Sequence, residues 1–258
     1  MLTGRNLSTD FIISGMGADL SSNLEPSKDI FSFHLATLPI AKMPRFLFHP
    51  GYNQTVPGLN HSENFLTMNL GEPILTAPRY NFKTVAVFAW WRDESYLSEF
   101  LEQPSSRFLV DGWHVRMKLY RRWGEVAELA DALVEPDLAE SKKPVIAVTL
   151  ARLKISETAR FIRWGKPVEN QVKNHPGKNL ALAAIRPLNT FSTFSIWQTE
   201  AEMLNMVSGR DKNSDGESHR LAMKERTRRD FHHEFTTMRF KPLKEVGLWN
   251  GRSNYTSG

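Results

Sequence analysis

Residues 78–91, PRYNFKTVAVFAWW, and residues 187–197, PLNTFSTFSIW, follow one plan twice in the same chain. Each opens on proline, passes through a run rich in β-branched and aromatic residues and ends on tryptophan, which predicts a strand. Each then enters an acidic amphipathic stretch, residues 93–101 (DESYLSEFL) and 199–206 (TEAEMLNM). Acidic residues at the start suit a helix N-terminus, where the backbone dipole is positive. A strand-to-helix unit that recurs in this way predicts an internal repeat.

Outward from that pair, residues 31–38 (FSFHLATL) and 144–153 (PVIAVTLARL) predict the first strand of each half. Residues 156–164 (SETARFIRW) predict a helix, with Ser156 as N-cap and Gly165-Lys166-Pro167 as its stop. The matching region of the first half, residues 43–50, is shorter and broken by Pro44, Pro50 and Gly51. Residues 65–70 (FLTMNL) and 180–185 (LALAAI) predict second strands, and residues 114–120 (HVRMKLY) and 235–240 (FTTMRF) predict closing strands. Strand, helix, two strands, helix, strand is a ferredoxin-like unit. The expected fold is therefore α+β, with two tandem ferredoxin-like halves forming a pseudo-symmetric dimeric α+β barrel. The expected layout is a flexible tail over residues 1–29, a first half over 30–135 and a polar linker over 136–143. A second half over 144–252 and a tail over 253–258 complete it. Residues 209–218 (GRDKNSDGES) read as a polar loop. Ser214 and Glu217 have capping-box spacing, and the helix they start runs through residues 219–226 toward Phe231.

The 258 residues contain no cysteine, which rules out disulfides, thiolate metal sites and a catalytic thiol. The net charge is +5, but its densest cluster, residues 224–229 (KERTRR), is diluted by Glu225 and followed by Asp230. It reads as a solvated helix face, and with no nucleic-acid motif beside it no nucleic-acid partner is expected. Residues 1–29 carry neither the basic region nor the apolar run of a signal peptide. No stretch approaches the roughly 18–20 apolar residues that span a bilayer. The expected location is the cytoplasm, with peripheral contact to a membrane left open.

A further succession of residues carries a resemblance. Residues 193–197 (TFSIW) are followed by the acidic segment with Met203, then His219, then Arg226 in a basic helix. Residues 239–243 (RFKPL) and 247–252 (GLWNGR) close the chain. This half resembles the spheroidene monooxygenase family, haem-containing enzymes of carotenoid oxidation. Residues 160–164 (RFIRW) with Pro167, and the turn Leu70-Gly71-Glu72-Pro73, fit the same family. The resemblance covers residues 31–252 and is strongest from Phe191 onward. The lysine and glycines usual around that family's second strands are replaced here, and the Gly-Glu-Pro turn has no counterpart in the second half.

The resemblance implies haem b, with its iron, as cofactor. Haem takes an imidazole, thiolate or phenolate as axial donor; without cysteine the field is eight histidines and five tyrosines. By the resemblance His219 is the proximal ligand. Its helical neighbours three, four and seven positions on are Ala222, Met223 and Arg226. Ala222 would let a flat macrocycle approach, Met223 would pack on it, and Arg226 would pair with a propionate. The alternative is a surface histidine in a basic helix. His232 and His233 are adjacent and diverge in either a helix or a strand, so they make no natural chelate. His34 and His114 fall on strands, where a histidine pointing into the barrel is either distal to haem or a hydrogen-bonded core residue. His49, His61 and His175 read as loop residues without a role. Trp90, Trp91, Trp164 and Trp197 read as core or as pocket lining, and Trp249 as an anchor for the tail.

The function implied is a haem-dependent monooxygenase, an oxidoreductase acting on an apolar, carotenoid-like small molecule. Electrons would come from a separate donor protein, since no flavin or nicotinamide motif is visible. Two alternatives stand beside it: a haem-dependent dehydratase of the aldoxime type, and a non-catalytic ligand-binding barrel. A homodimer is compatible with all three.

Overall fold

The computed structural model describes residues 28–48, 55–208 and 218–257. Eight strands close into one antiparallel barrel in the order β1-β3-β2-β6-β7-β5-β8-β4. They are β1 (Ile30–Thr37), β2 (Leu59–Met68), β3 (Tyr80–Trp91), β4 (Trp113–Glu125), β5 (Val145–Leu153), β6 (Lys178–Arg186), β7 (Thr190–Trp197) and β8 (His232–Gly247). Each half contributes four neighbouring strands in the same relative order, β4-β1-β3-β2 and β8-β5-β7-β6, as two ferredoxin-like units require.

The two seams between the halves differ greatly. β4 and β8 pair from Trp113↔Gly247 to Glu125↔Phe235. β2 and β6 share only Leu66↔Ile185, Thr67↔Ala184 and Met68↔Ala183.

Alternate residues of every strand point inward, as a period of two requires. Phe33, Phe65, Phe88, Val115, Val148, Leu182, Phe194 and Phe240 thus share one core. Phe33 and Phe194, one from each half, stack with centroids 3.8 Å apart. One end of the barrel is plugged by charge. Glu63 sits fully buried between Arg152 and Arg186, whose Nη1 lies 2.7 Å away, and it also accepts from His61 Nε2 at 2.9 Å.

Helices cover the outside. In the first half, α1 (Met43–Phe48), α2 (Glu94–Glu102) and α3 (Arg107–Val110) close over the sheet. Leu47, Leu97, Phe100 and Leu109 pack there against Leu66, Val85, Val87 and Trp91. In the second half the covering helices are α4 (Thr158–Asn174), α5 (Glu200–Ser208) and α6 (Ser218–Arg228).

Several expectations need correction. α4 does not stop at Gly165-Lys166-Pro167; it continues to Asn174 with Pro167 inside it, and Glu157 rather than Ser156 is its N-cap residue. Pro167 is tolerated because it and Arg163, whose carbonyl loses its partner, both face solvent. Beyond it Gln171 is buried and donates to the Met206 carbonyl at 3.0 Å, which fixes the last turns to α5. His61 is not in a loop but on β2, buried beside Glu63. His175 is the buried C-cap of α4, and its Nδ1 accepts from Gly177 N. His34 and His114 lie opposite one another on β1 and β4 but face outward, because Phe33, Leu35 and Val115 take the inward positions. The Ser214–Glu217 capping box, His49 and most of the N-terminal tail fall outside the described residues. After Arg252 the chain folds back. Tyr255 packs edge-on to Trp113, and its hydroxyl donates to the Trp249 carbonyl at 2.7 Å. Glu245 accepts from Trp113 Nε1 and from the backbone of Tyr255 and Thr256.

Candidate functional site

The outer faces of the two halves correspond residue by residue. Trp91 opposes Ile30 and Trp197 opposes Val145, so His34 on β1 matches Thr149 on β5. By the same registers Val87 matches Thr193 and His114 matches Thr237. Where the first half carries valine and two imidazoles under helices, the second carries three threonines side by side, Thr193–Thr149–Thr237. The next row, Ala181–Ser195–Ala147–Arg239, is small up to its last member. Such side chains cannot reach the covering helices, and a cleft of about 570 Å³ opens between this floor and α4, α5 and α6. That is within the roughly 300–1,000 Å³ of small-molecule sites.

The walls are apolar. α4 contributes Phe161, Ile162, Trp164, Val168 and Val172, none of them fully buried. Met203 and Met206 of α5 and Phe191 and Phe235 of the sheet complete the lining. An apolar helix face left half-covered over a floor of small side chains is a surface that a flat apolar ligand would bury.

All four residues singled out on α6 line this cleft: His219, Ala222, Met223 and Arg226. His219 sits at the first turn. Its Nδ1 lies 3.0 Å from the Val207 carbonyl, and since a carbonyl only accepts, Nδ1 carries the proton. The lone pair then belongs to Nε2. Burial lowers its pKa, against the opposing pull of the Val207 carbonyl, so the ring is neutral at pH 7. A neutral imidazole whose tautomer is fixed by a backbone carbonyl is the form that binds a metal. Ala222 is buried and small. Arg226 stacks over Phe235 at 3.8 Å, and its buried Nε lies 3.6 Å from Asp230 Oδ1, an ion pair too long to be a hydrogen bond. The site therefore has an imidazole donor, a slot beside it and a cation, and these residues fit haem b. Among the described residues no cluster of three or more His, Asp or Glu is arranged to hold a bare metal ion, whereas one imidazole suffices for a macrocycle.

His232 was not legible as a site residue. It begins β8, is buried, and lines the same cleft among Phe161, Phe231 and Phe235, while His233 is exposed. Its Nδ1 donates to Asp230 Oδ1 at 2.8 Å, and its Nε2 has no partner. Burial lowers its pKa more than Asp230 raises it. The sequence signal available was the Asp230–His232 spacing, which a β-strand start turns into a side-chain pair. Trp164 and Trp197 line the cleft, whereas Trp90 and Trp91 do not.

The sequence matches no protein-family model and no curated protein. Solved structures do resemble it. An aldoxime dehydratase superposes with a TM-score of 0.52 at 7% identity, over 84% of this chain and 82% of that one. A second, an aldoxime dehydratase in complex with butyraldoxime, gives 0.51 at 7% identity, over 86% and 83%. A monooxygenase-like protein from Listeria innocua gives 0.28 at 10% identity, over 84% and 96%. For the two aldoxime dehydratases, at 7% identity, the likeness is one of fold alone.

Proposed function

We propose that this chain is a haem-dependent monooxygenase acting on an apolar small molecule, with haem b held in the second-half cleft and His219 as the axial ligand. The observation that carries the reading is His219 itself, a neutral imidazole tied through Nδ1 to the Val207 carbonyl, at the edge of an apolar cleft that α4 only half covers. Haem, when bound, supplies redox-active iron, and electrons come from a separate donor protein. The chain's own residues do the rest. Ala222 keeps the slot open, Met223 packs on the macrocycle, and Arg226, paired through Nε with Asp230 at 3.6 Å, offers the rest of its guanidinium to a propionate. Thr149, Thr193 and Thr237 offer hydroxyls from the floor to a polar atom of the substrate. His232, held by Asp230, takes up or returns a proton at Nε2. Phe161, Phe191 and Phe235 exclude water.

A second reading is dehydration of an aldoxime-type substrate, in which water leaves and no electrons are consumed. It is favoured by the two aldoxime dehydratase structures of like fold.

The test is expression with ample haem, an absorption spectrum, and the same for His219→Ala. A Soret band that is lost or shifted in the variant supports the reading. Equal bands in both remove His219 from the iron and turn attention to His232. A folded protein without haem overturns both enzyme readings and leaves a ligand-binding barrel. With haem bound, reductant-dependent consumption of dioxygen supports the monooxygenase, and conversion of an aldoxime without it supports the dehydratase.

A further inference from the structure

The two ends of the barrel are built from equivalent positions, because β4 and β8 run antiparallel and so set the halves head to tail. One end is closed by Glu63 with His61, Arg152 and Arg186. The strand registers give the counterparts at the other end. Thr37 pairs with Thr84 as Arg152 pairs with Thr190. Glu63 opposes Phe88 as Leu182 opposes Phe194, and His61 opposes Trp90 as Leu180 opposes Ile196. Leu66 opposes Val85 as Ile185 opposes Phe191, so Thr67, one residue on, matches Arg186. Every ionisable member of the plug thus has a neutral counterpart: a threonine for each arginine, a leucine for the glutamate and for the histidine. These side chains do not close the barrel as the ion cluster does. A cavity of about 670 Å³ remains at that end, and Thr37, Thr67, Leu180 and Leu182 line it.

Further polar groups surround the cavity. Asn81 and Thr84 come from β3, Asn69 follows β2, and Asn250 lies in the turn after β8. Asn69 and Asn81 exchange amide hydrogen bonds at 3.2 and 3.1 Å, and Asn81 also donates to Thr67 Oγ1 at 3.3 Å, which fixes their orientation. Trp249 is part of the same lining. Its carbonyl accepts from the Tyr255 hydroxyl at 2.7 Å and its backbone exchanges hydrogen bonds with Arg252, so the turn that carries the indole is tied down.

Among the described residues of this lining Asp111 alone is charged, and it is exposed and bonded to Arg107 at 3.1 Å. An anion would meet no cation here, and a cation no free carboxylate, so a charge would be desolvated without a counter-charge. Threonine hydroxyls and asparagine amides donate and accept, as a ligand hydroxyl does. They stand around the cavity rather than along one edge, which suits a molecule with polar groups on its whole perimeter. Leu180, Leu182 and the Trp249 ring give its faces apolar surface.

We propose that this end of the barrel is a second binding site, for a small uncharged polyhydroxylated ring of the size of a monosaccharide or a cyclitol. The site does not depend on haem. Met68, Leu70, Ala181 and Leu182 border both this cavity and the second-half cleft, so the test carries variants for each space.

The test is calorimetric titration of the full chain, purified after expression with haem, with glucose, ribose and inositol as neutral polyols. Glucuronate and uracil are the anionic and planar counterparts. The expected result is saturable binding of at least one polyol, tighter than that of either counterpart. Thr37→Arg places at an exposed position the arginine that helps to close the other end, and Asn81→Leu removes the paired amide. Each should weaken polyol binding at least about tenfold, whereas Ala222→Leu, which fills the other cleft, should leave it unchanged. Failure of all three polyols to bind, tighter binding of glucuronate or uracil, or binding that neither Thr37→Arg nor Asn81→Leu weakens would overturn the proposal. Loss of binding in Ala222→Leu would overturn it as well, by assigning the polyol to the second-half cleft.

Discussion

Arg239 on β8 donates to Glu200 on α5 at 2.7 Å, with both side chains less than a tenth exposed. The pair repeats Arg116 and Glu94 of the first half, 2.5 Å apart at the corresponding positions of β4 and α2. Both join the closing strand of a half to its second helix. In the second half the bond also sets one corner of the cleft, because Arg239 lines it and lies over Trp123 at 4.3 Å. Glu94 is 53% exposed, so water screens the first pair but not the second. Truncating Glu200 leaves a buried guanidinium unpaired. We expect Glu200→Ala to lower unfolding free energy by about 3–5 kcal/mol, and Glu94→Ala by less than about 1 kcal/mol, measured by denaturant titration.

The barrel plug gives an acid signature. Burial raises the Glu63 carboxyl, but the His61 hydrogen bond with Arg152 and Arg186 outweighs it and lowers the pKa from 4.5 to about 2. The folded value lies below the unfolded one. The stabilisation is therefore complete above pH 4.5 and is lost as pH falls toward 2. Its size is about 3 kcal/mol. Stability measured from pH 6 to pH 2.5 should fall more steeply for the wild type than for Glu63→Gln, which starts lower because two arginines lose their counter-charge.

The outward histidines act at milder pH. Burial first, then Arg116 and Lys244, hold His114 at about 4, below its ordinary 6.5. His34, stacked on it at 4.9 Å, is lowered as well. The unfolded chain binds these protons first, so stability is full above pH 6.5 and drops as pH falls through about 4. Neither ring nitrogen of His114 has a hydrogen-bond partner. His114→Leu should therefore keep its stability at pH 8 and lose part of the decline between pH 6.5 and 4. Melting temperatures across that window test it.

Ala222 faces the slot from α6 and is buried. Ala222→Leu fills space that haem would occupy. We expect haem uptake to fall at least about tenfold while the melting temperature of the haem-free protein holds or rises, since added methyl groups find room. Haem titration and thermal melts on the same variant separate the two effects.

Local pattern carried much of this molecule. Alternation and strand-forming composition located eight strands, although β2 begins six residues before the expected Phe65 and ends at Met68; the proline-to-tryptophan phrase exposed the repeat, and the ferredoxin-like order of each half followed. Residues 219, 222, 223 and 226 share a helical face by spacing alone, and that face is the one that lines the cleft. The end of α4 was misread, because glycine and proline signal a stop only when no partner stabilises the turns beyond. Gln171 and its bond to Met206 come from tertiary packing.

The sequence by itself determined the two halves, their strand order and the helix that carries His219, since period and repeat are properties of neighbours along the chain. Only the tertiary structure decided which half stays open. Thr149, Thr193 and Thr237 lie on three strands separated by 44 and 88 residues in the chain from Thr149, and only the sheet registers put them in one row. The same holds for His232, which Phe161 from another element flanks at 5.7 Å and whose Nε2 finds no hydrogen-bond partner. It holds again for the short β2–β6 seam, where Glu169 and Lys166 on α4 bond to Gly71 just past the last paired residue. Helices and strands are specified by residues a few positions apart, whereas a cavity is specified by what distant residues fail to fill.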